Sequence, residues 1–286
     1  MKSQVHFAFD FFISLCYNRQ DRKKTEELEA FYMILTIDIG NSNINFGVFE
    51  GQSIRFVARI ATDRAKTEFE YASAISNALS LSGITREDIG GAIISSVVPP
   101  LNNVMKCAVR LIYGLDAILV GPGVKTGINI YCDNPASVGA DIICACVAAH
   151  FLYGSPSLIV DMGTATKMMV MNERGAFIGV SIIPGVMVSL DALARRTAQL
   201  PMVDLEAPRN VIGKNTADCM KSGIVFGNAS MVDGMIDRIF DEVGSALPVY
   251  ATGGLASIIT PHCKHKITYD EFLVLKGLNI IYQKNQ

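Results

Sequence analysis

From Met33 to Ile39 the chain is apolar except for Thr36 and Asp38, and after a short polar turn a second, alternating run covers residues 43–49. The same pattern returns at 157–171, where Ser-Leu-Ile-Val-Asp161-Met-Gly163-Thr-Ala-Thr-Lys-Met-Met-Val-Met again places Asp-x-Gly at the end of an apolar run. Such a pattern predicts a strand, a tight turn and a second strand. Each copy then turns at polar and glycine positions, Glu50-Gly51 or Asn172 to Gly175, into a further apolar strand. Between the copies, strand-like 92–98 and 117–120 alternate with helical patterns around 67–82, 100–113 and 139–153. Alternation on this scale predicts an α/β protein of two duplicated units. The expected division falls near Gly154-Ser155-Pro156, giving domains 33–154 and 155–286.

Composition changes this picture little. Half of the 286 residues are apolar and 18% are charged, enough for well-buried cores. A net charge of −2 offers no basic footprint for nucleic acid. Seven scattered cysteines read as reduced thiols of a cytoplasmic protein. The apolar stretch 7–17 is broken by Asp10 and is too short to span a bilayer, and no small-residue cleavage site follows it. Residues 1–32 are therefore expected to be an extension outside the fold, with Met33 as the initiator; an amphipathic appendage is the alternative. The charge run Arg19 to Glu29 reads as a solvated face. No membrane segment is expected elsewhere.

The paired loops suit phosphate and metal chemistry. A glycine lets the backbone approach an anion, turn amides and hydroxyls supply donors, and a carboxylate is a hard ligand for Mg²⁺. Asp38, Gly40, Asn41, Ser42 and Asn43 form one cradle; Asp161, Thr164 and Thr166 form the other. The plain alternative is two hairpins whose aspartates cap turns. The further glycine turn Thr252-Gly253-Gly254, after the strand-like Pro248-Val249-Tyr250, favours a nucleotide held between the loops. No Walker-type or Rossmann glycine motif is present. Asp141, opening the apolar helix 142–151, is the best candidate to take a proton from an attacking hydroxyl; capping that helix is an equal alternative.

Together these residues resemble type III pantothenate kinases. The resemblance rests on Asp38-Ile-Gly-Asn-Ser-Asn43, Asn134-Pro-x-x-Val-Gly-Ala-Asp141, Asp161-x-Gly-Thr-Ala-Thr166, Ile183-Pro-Gly185, Leu200-Pro201, Gly213-Lys-Asn-Thr216, Ser222-Gly-Ile224, Thr252-Gly-Gly254 and Leu275-Lys-Gly-Leu278, and it covers residues 33 to about 279. It implies an actin-like ATPase fold of two ribonuclease-H-like domains with ATP in the cleft between them, a homodimer, and transfer of the γ-phosphate of ATP to pantothenate at the start of coenzyme A synthesis. It also implies Mg²⁺ and a monovalent cation, K⁺ or NH₄⁺. Carried over by position, Asp38, Ile39, Gly40, Asn41, Ser42, Asn43, Ile44 and Asn45 would bind ATP together with Thr164, and Asp38 would hold Mg²⁺ with the phosphates. Asp141 would accept the proton, Asp161 would hold the monovalent cation, and Cys132, Gly139, Ala140, Asp141, Ile142 and Thr216 would line the pantothenate site.

Three positions depart from the family pattern. Ile142 stands where an arginine is usual, and losing a charge-assisted contact there should weaken acceptor binding by about 1.5–3 kcal/mol. Cys132 stands at a tyrosine position, with Tyr131 one residue early and facing the other way on a strand. Lys167 follows Thr166 where a threonine is usual, and it could supply the lost positive charge. Two other activities stay open on this ground: a kinase of another small hydroxylated acceptor, and a nucleotide-binding regulatory or weakly active relative.

Remaining features read as structural. Pro261-His-Cys-Lys-His265 lacks the second cluster of a closed metal site. Cys144 and Cys146 read as packing on an apolar helix, Met168 to Met171 as an interior strand, and His150 as a structural histidine.

Overall fold

A computed structural model of the chain describes residues 32–197 and 200–286; the expected extension at 1–32, charge run included, lies outside the described residues except for Tyr32. The first sheet contains β1 (Met33–Ile39), β2 (Asn43–Glu50), β3 (Ser53–Ala61), β4 (Ile89–Ser96) and β5 (Ile118–Leu119) in the order β3-β2-β1-β4-β5. The second contains β6 (Asn129–Ile130), β7 (Ser157–Met162), β8 (Ala165–Met171), β9 (Ala176–Pro184), β10 (Val249–Thr252) and β11 (Ile267–Tyr269) in the order β11-β10-β7-β8-β9-β6. The duplication expected from the two Asp-x-Gly hairpins is thus a duplication of topology. In each sheet an antiparallel three-strand meander is followed by two parallel strands, β1 to β5 in one and β7 to β11 in the other.

Helices α1 (Glu68–Ser80) and α2 (Pro99–Tyr113) cover one face of the first sheet, where Tyr71, Ile75, Leu101 and Met105 meet Leu35, Ile37 and Phe46. Thr67 begins α1 with a capping box closed by Glu70. In the second sheet, α4 (Val186–Arg196), α5 (Thr216–Val243) and α6 (Ala256–Ile259) cover one face.

Between the sheets runs α3 (Ala140–Tyr153), apolar on every side, as a helix must be when it is buried all round. Ile143, Cys144 and Val147 pack toward the first sheet with Phe49 and Ile93. Ile142, Ala145, Cys146 and Ala149 pack toward the second with Ile159, Met169 and Phe177. Helix α7 (Leu273–Gln283) returns to the first sheet and lies against α3 so closely that a Cβ on Gly277 would stand 1.9 Å from the Cys144 carbonyl oxygen. Two segments therefore cross the division near residue 154: β6 joins the second sheet and α7 packs on the first. Among the described residues no helix is long and apolar enough to cross a membrane.

Candidate functional site

The sandwiched position of α3 decides where its first turn points. Gly139 caps it with extended backbone, and Asp141 lies in the opening turn, where the partial positive charge of the helix N-terminus favours a carboxylate. Asp141 Oδ1 accepts from the amide of Ile142 at 2.8 Å. A side chain at Gly139 would crowd it, since a Cβ there would lie 2.6 Å from Oδ1. The expectation that Asp141 caps the helix does not match the structure, because Gly139 is the cap, no side chain closes it, and Asp141 lies one residue inside the first turn.

The second carboxylate oxygen of Asp141, Oδ2, meets Lys167 Nζ at 2.5 Å. The same ammonium lies 2.6 Å from Asp161 Oδ2, and its side chain is only 14% exposed. Strand register explains the contact: Asp161 on β7 and Lys167 on β8 are direct antiparallel partners, so their side chains leave the same face side by side. The first sheet carries Asp38 and Asn45 as the corresponding pair. Asp38 is the third carboxylate of the group.

These charges act on one another. Burial, reinforced by the nearby charge of Asp141 and opposed in part by Lys167, pushes the Asp38 carboxyl up to about 7. Burial also raises Asp161, against the downward pull of Lys167. For Lys167 burial disfavours the ammonium, but Asp161 and Asp141 outweigh it and the net direction is up. The lysine is held charged between two acids. Its charge is thereby engaged, so the expectation that it replaces the missing arginine toward an acceptor does not match this geometry.

The two loops meet directly. Ser42 Oγ and Thr164 Oγ1 are 2.8 Å apart, joining the cradle of one sheet to that of the other. Within the first loop, the Gly40 amide donates to the Asn43 carbonyl at 3.0 Å, and Thr62 Oγ1 donates to the Gly40 carbonyl at 2.7 Å. The Thr252-Gly253-Gly254 turn presses onto the end of β7: Gly253 has φ +94°, and a Cβ there would lie 2.6 Å from Met162 backbone atoms. Two cations beside these loops escaped the sequence reading. Arg64 Nη2 donates to Asn41 Oδ1 at 3.0 Å, and the Arg59 guanidinium lies 3.3 Å from where a Gly254 Cβ would be. Neither belongs to a recognisable motif: the β2–β3 register sets Arg59 opposite Asn45, and Arg64 follows β3 in the connection to α1.

The residues expected to line an acceptor site divide. Asp141 belongs to the carboxylate cluster and Gly139 lies against it, but Ala140 packs into the layer against the first sheet and Ile142, 6% exposed, into the layer against the second. Cys132 follows β6 and is partly buried, while Tyr131 beside it is exposed and donates its amide to the Phe177 carbonyl. Thr216 opens α5 and lines a separate apolar cavity of about 400 Å³ with Leu193, Leu200, Met220 and Ile224. Cys132 and Thr216 hydrogen-bond to none of the three carboxylates.

The features read as structural behave so. Cys144 and Cys146 are fully buried and their thiols are raised by burial. Met168, Met169 and Met171 fill the interior, and His150 Nδ1 is 2.9 Å from Ser155 Oγ. In the His-Cys-Lys-His segment the side chains part company: His262 packs edge-on against Phe226, and His265 Nε2 is 2.8 Å from Asp237 Oδ1.

Among the described residues no three acidic, histidine or cysteine side chains gather as a metal site, and a single carboxylate such as Asp38 fits Mg²⁺ as the ion that keeps several waters and is held mainly by substrate phosphates. A free monovalent cation at Asp161 does not fit equally, because that carboxylate already faces an ammonium at 2.6 Å.

Comparison with known proteins gives this arrangement relatives. A sequence model of a family described as Type III pantothenate kinase matches residues 34–238. A type III pantothenate kinase of Halalkalibacterium halodurans is 43% identical over 253 residues, covering 88% of this chain and all of the relative. One from a Geobacillus species is 44% identical over 253 residues, covering 88% of this chain and 98% of the relative. Among solved structures, a Campylobacter jejuni protein described as a Baf family transcriptional activator aligns with a TM-score of 0.57 at 19% identity, over 88% of this chain and 98% of the other. A Listeria monocytogenes protein described as an N-acetylmannosamine kinase aligns at 0.50 and 12% identity, over 89% and 100%. At these identities the two structures speak for the fold alone.

Proposed function

The chain belongs to the type III pantothenate kinase family, and on that premise we propose that it transfers the γ-phosphate of ATP to pantothenate, giving 4′-phosphopantothenate for coenzyme A synthesis. The observation that carries this reading is the meeting of the two Asp-x-Gly loops, with Ser42 and Thr164 in contact, beside an aspartate at the head of α3. ATP is the phosphoryl donor. Asp38 to Asn45 and Thr164 cradle its phosphates, and Asp38 would hold Mg²⁺ beside them. Bound Mg²⁺ neutralises charge on the phosphates and orients them. Arg59 and Arg64 add positive charge at the loop mouth.

Phosphoryl transfer asks the protein mainly for positioning and charge stabilisation. Asp141 takes the proton of the acceptor hydroxyl as that oxygen attacks. Lys167 fixes Oδ2 of Asp141 and, through Asp161, ties the carboxylate at the head of α3 to the second sheet. Gly139 and Ala140 border the acceptor; Cys132 and Thr216 are assigned to its site from the family pattern alone, Thr216 lying in the separate apolar cavity. We further propose a cytoplasmic homodimer and the domain division 33–154 and 155–286. In favour of a second copy, Ile178, Val180 and Ile182 form one exposed face of β9, and Met187 and Val188 are exposed at the start of α4.

One observation supports a second acceptor class. With Ile142 buried, no cation at that position is offered to a carboxylate-bearing substrate. An ATP-consumption assay with purified full chain, Mg²⁺ and a panel of hydroxylated acids decides between them. Consumption that depends on pantothenate supports the first reading; consumption that depends on a different acceptor, with pantothenate inert, overturns it.

A further inference from the structure

We propose that the Lys167 ammonium is a built-in replacement for a monovalent metal ion at Asp161, so that nucleotide binding and phosphate transfer need no K⁺ or NH₄⁺. The proposal rests on the kinase reading for what the site does, and on geometry for what occupies it. Asp161 is a nearly buried carboxylate whose direct cross-strand partner is the lysine. The ammonium lies 2.6 Å from Asp161 and 2.5 Å from Asp141, with its side chain 14% exposed.

A carboxylate taken out of water needs a compensating cation, and leaving one uncompensated is strongly unfavourable. A dissolved ion can meet that need, but it must be captured from solution and gives up hydration. An ammonium on the neighbouring strand is already present when the chain has folded. It is a compact point charge with three donors, able to serve two acids at once. The two solutions exclude each other, because a second cation at the same carboxylate would be repelled by the first at close range.

The duplicated topology isolates the change. The corresponding position in the first sheet, opposite Asp38, is the neutral Asn45. Asp38 thus has no cross-strand cation of its own, while Asp161 has one. The chain neutralises one carboxylate itself and leaves the other to the metal.

The test is a potassium titration of the full chain, with tetramethylammonium holding ionic strength constant. Three readouts are followed: thermal unfolding midpoint, ATP affinity by calorimetry, and pantothenate-dependent phosphate transfer. For the wild type all three should be flat. Lys167→Thr opens the site. Its transfer should fall about a hundredfold in tetramethylammonium and return with KCl or NH₄Cl, and its unfolding midpoint should climb with KCl as the ion binds the folded state. Wild-type midpoint, affinity or rate rising with K⁺ overturns the proposal. So does a folded Lys167→Thr chain that is fully active without K⁺, or one that K⁺ does not restore. If Lys167→Thr does not fold, the wild-type titration decides alone. If the wild type transfers no phosphate to pantothenate, the proposed function fails separately, and the midpoint and ATP-affinity titrations still uphold the replacement when flat or overturn it when K⁺-dependent.

Discussion

Asp141→Asn keeps the size of the side chain and an oxygen for the Ile142 amide while removing the proton acceptor. Transfer to pantothenate should fall by about 10²–10⁴-fold with ATP affinity nearly unchanged, as rate and calorimetry on the same preparation would show. Loss of both together would move Asp141 into the nucleotide site. Asp38 supplies a second prediction. Its carboxyl is at about 7 in the folded chain against 3.8 when unperturbed, so the folded state holds that proton more tightly than the unfolded one. The stability it contributes is complete below about pH 4 and is lost as pH rises through 7. With Mg²⁺ chelated, Asp38→Asn should therefore unfold at a higher temperature than wild type at pH 8 and at the same temperature near pH 4. A variant less stable at pH 8 would contradict the burial argument. Both aspartates were legible in the sequence because each ends an apolar run before a turn or opens an apolar helix. The role of Lys167 was not. A lysine within a methionine-rich strand carries no local sign of its cross-strand partner, which only the β7–β8 register supplies.

Helix α3 holds the site in place, and it meets α7 closely at Gly277. Gly277→Ala would drive a Cβ into the Cys144 backbone. It should destabilise the chain by about 1–3 kcal/mol, read by denaturant unfolding, and should lower transfer by shifting Asp141. An unchanged midpoint would mean that the two helices separate freely. The elements themselves were well marked: patterns at 67–82, 100–113 and 139–153 became helices 68–80, 99–113 and 140–153. Missing from the sequence were the two crossings. The two-residue β6 is too short for periodicity to register, and nothing local in α7 says that it packs on the first sheet rather than the second. Those are choices of the whole core, made where α3 has to be covered on both sides.

At the scale of the molecule, two copies of one topology enclose a shared helix, and the phosphate loops face each other because they are the same loop twice. The outward face of β9 and the start of α4 leave Ile182, Met187 and Val188 exposed. Sedimentation at micromolar concentration should give a dimer, and Ile182→Asp should shift it toward monomer; a monomeric wild type would remove the second copy. Duplication was legible in the spacing of the hairpins, whereas the exposed face could be recognised only once β9 had a sheet behind it.

What receives the phosphate decides the function. Mass spectrometry of the product after incubating the purified full chain with Mg²⁺, ATP and pantothenate tests it directly. The prediction is pantothenate heavier by one phosphoryl group, formed by the wild type and not by Asp141→Asn. ATP bound tightly with pantothenate returned unchanged would contradict it.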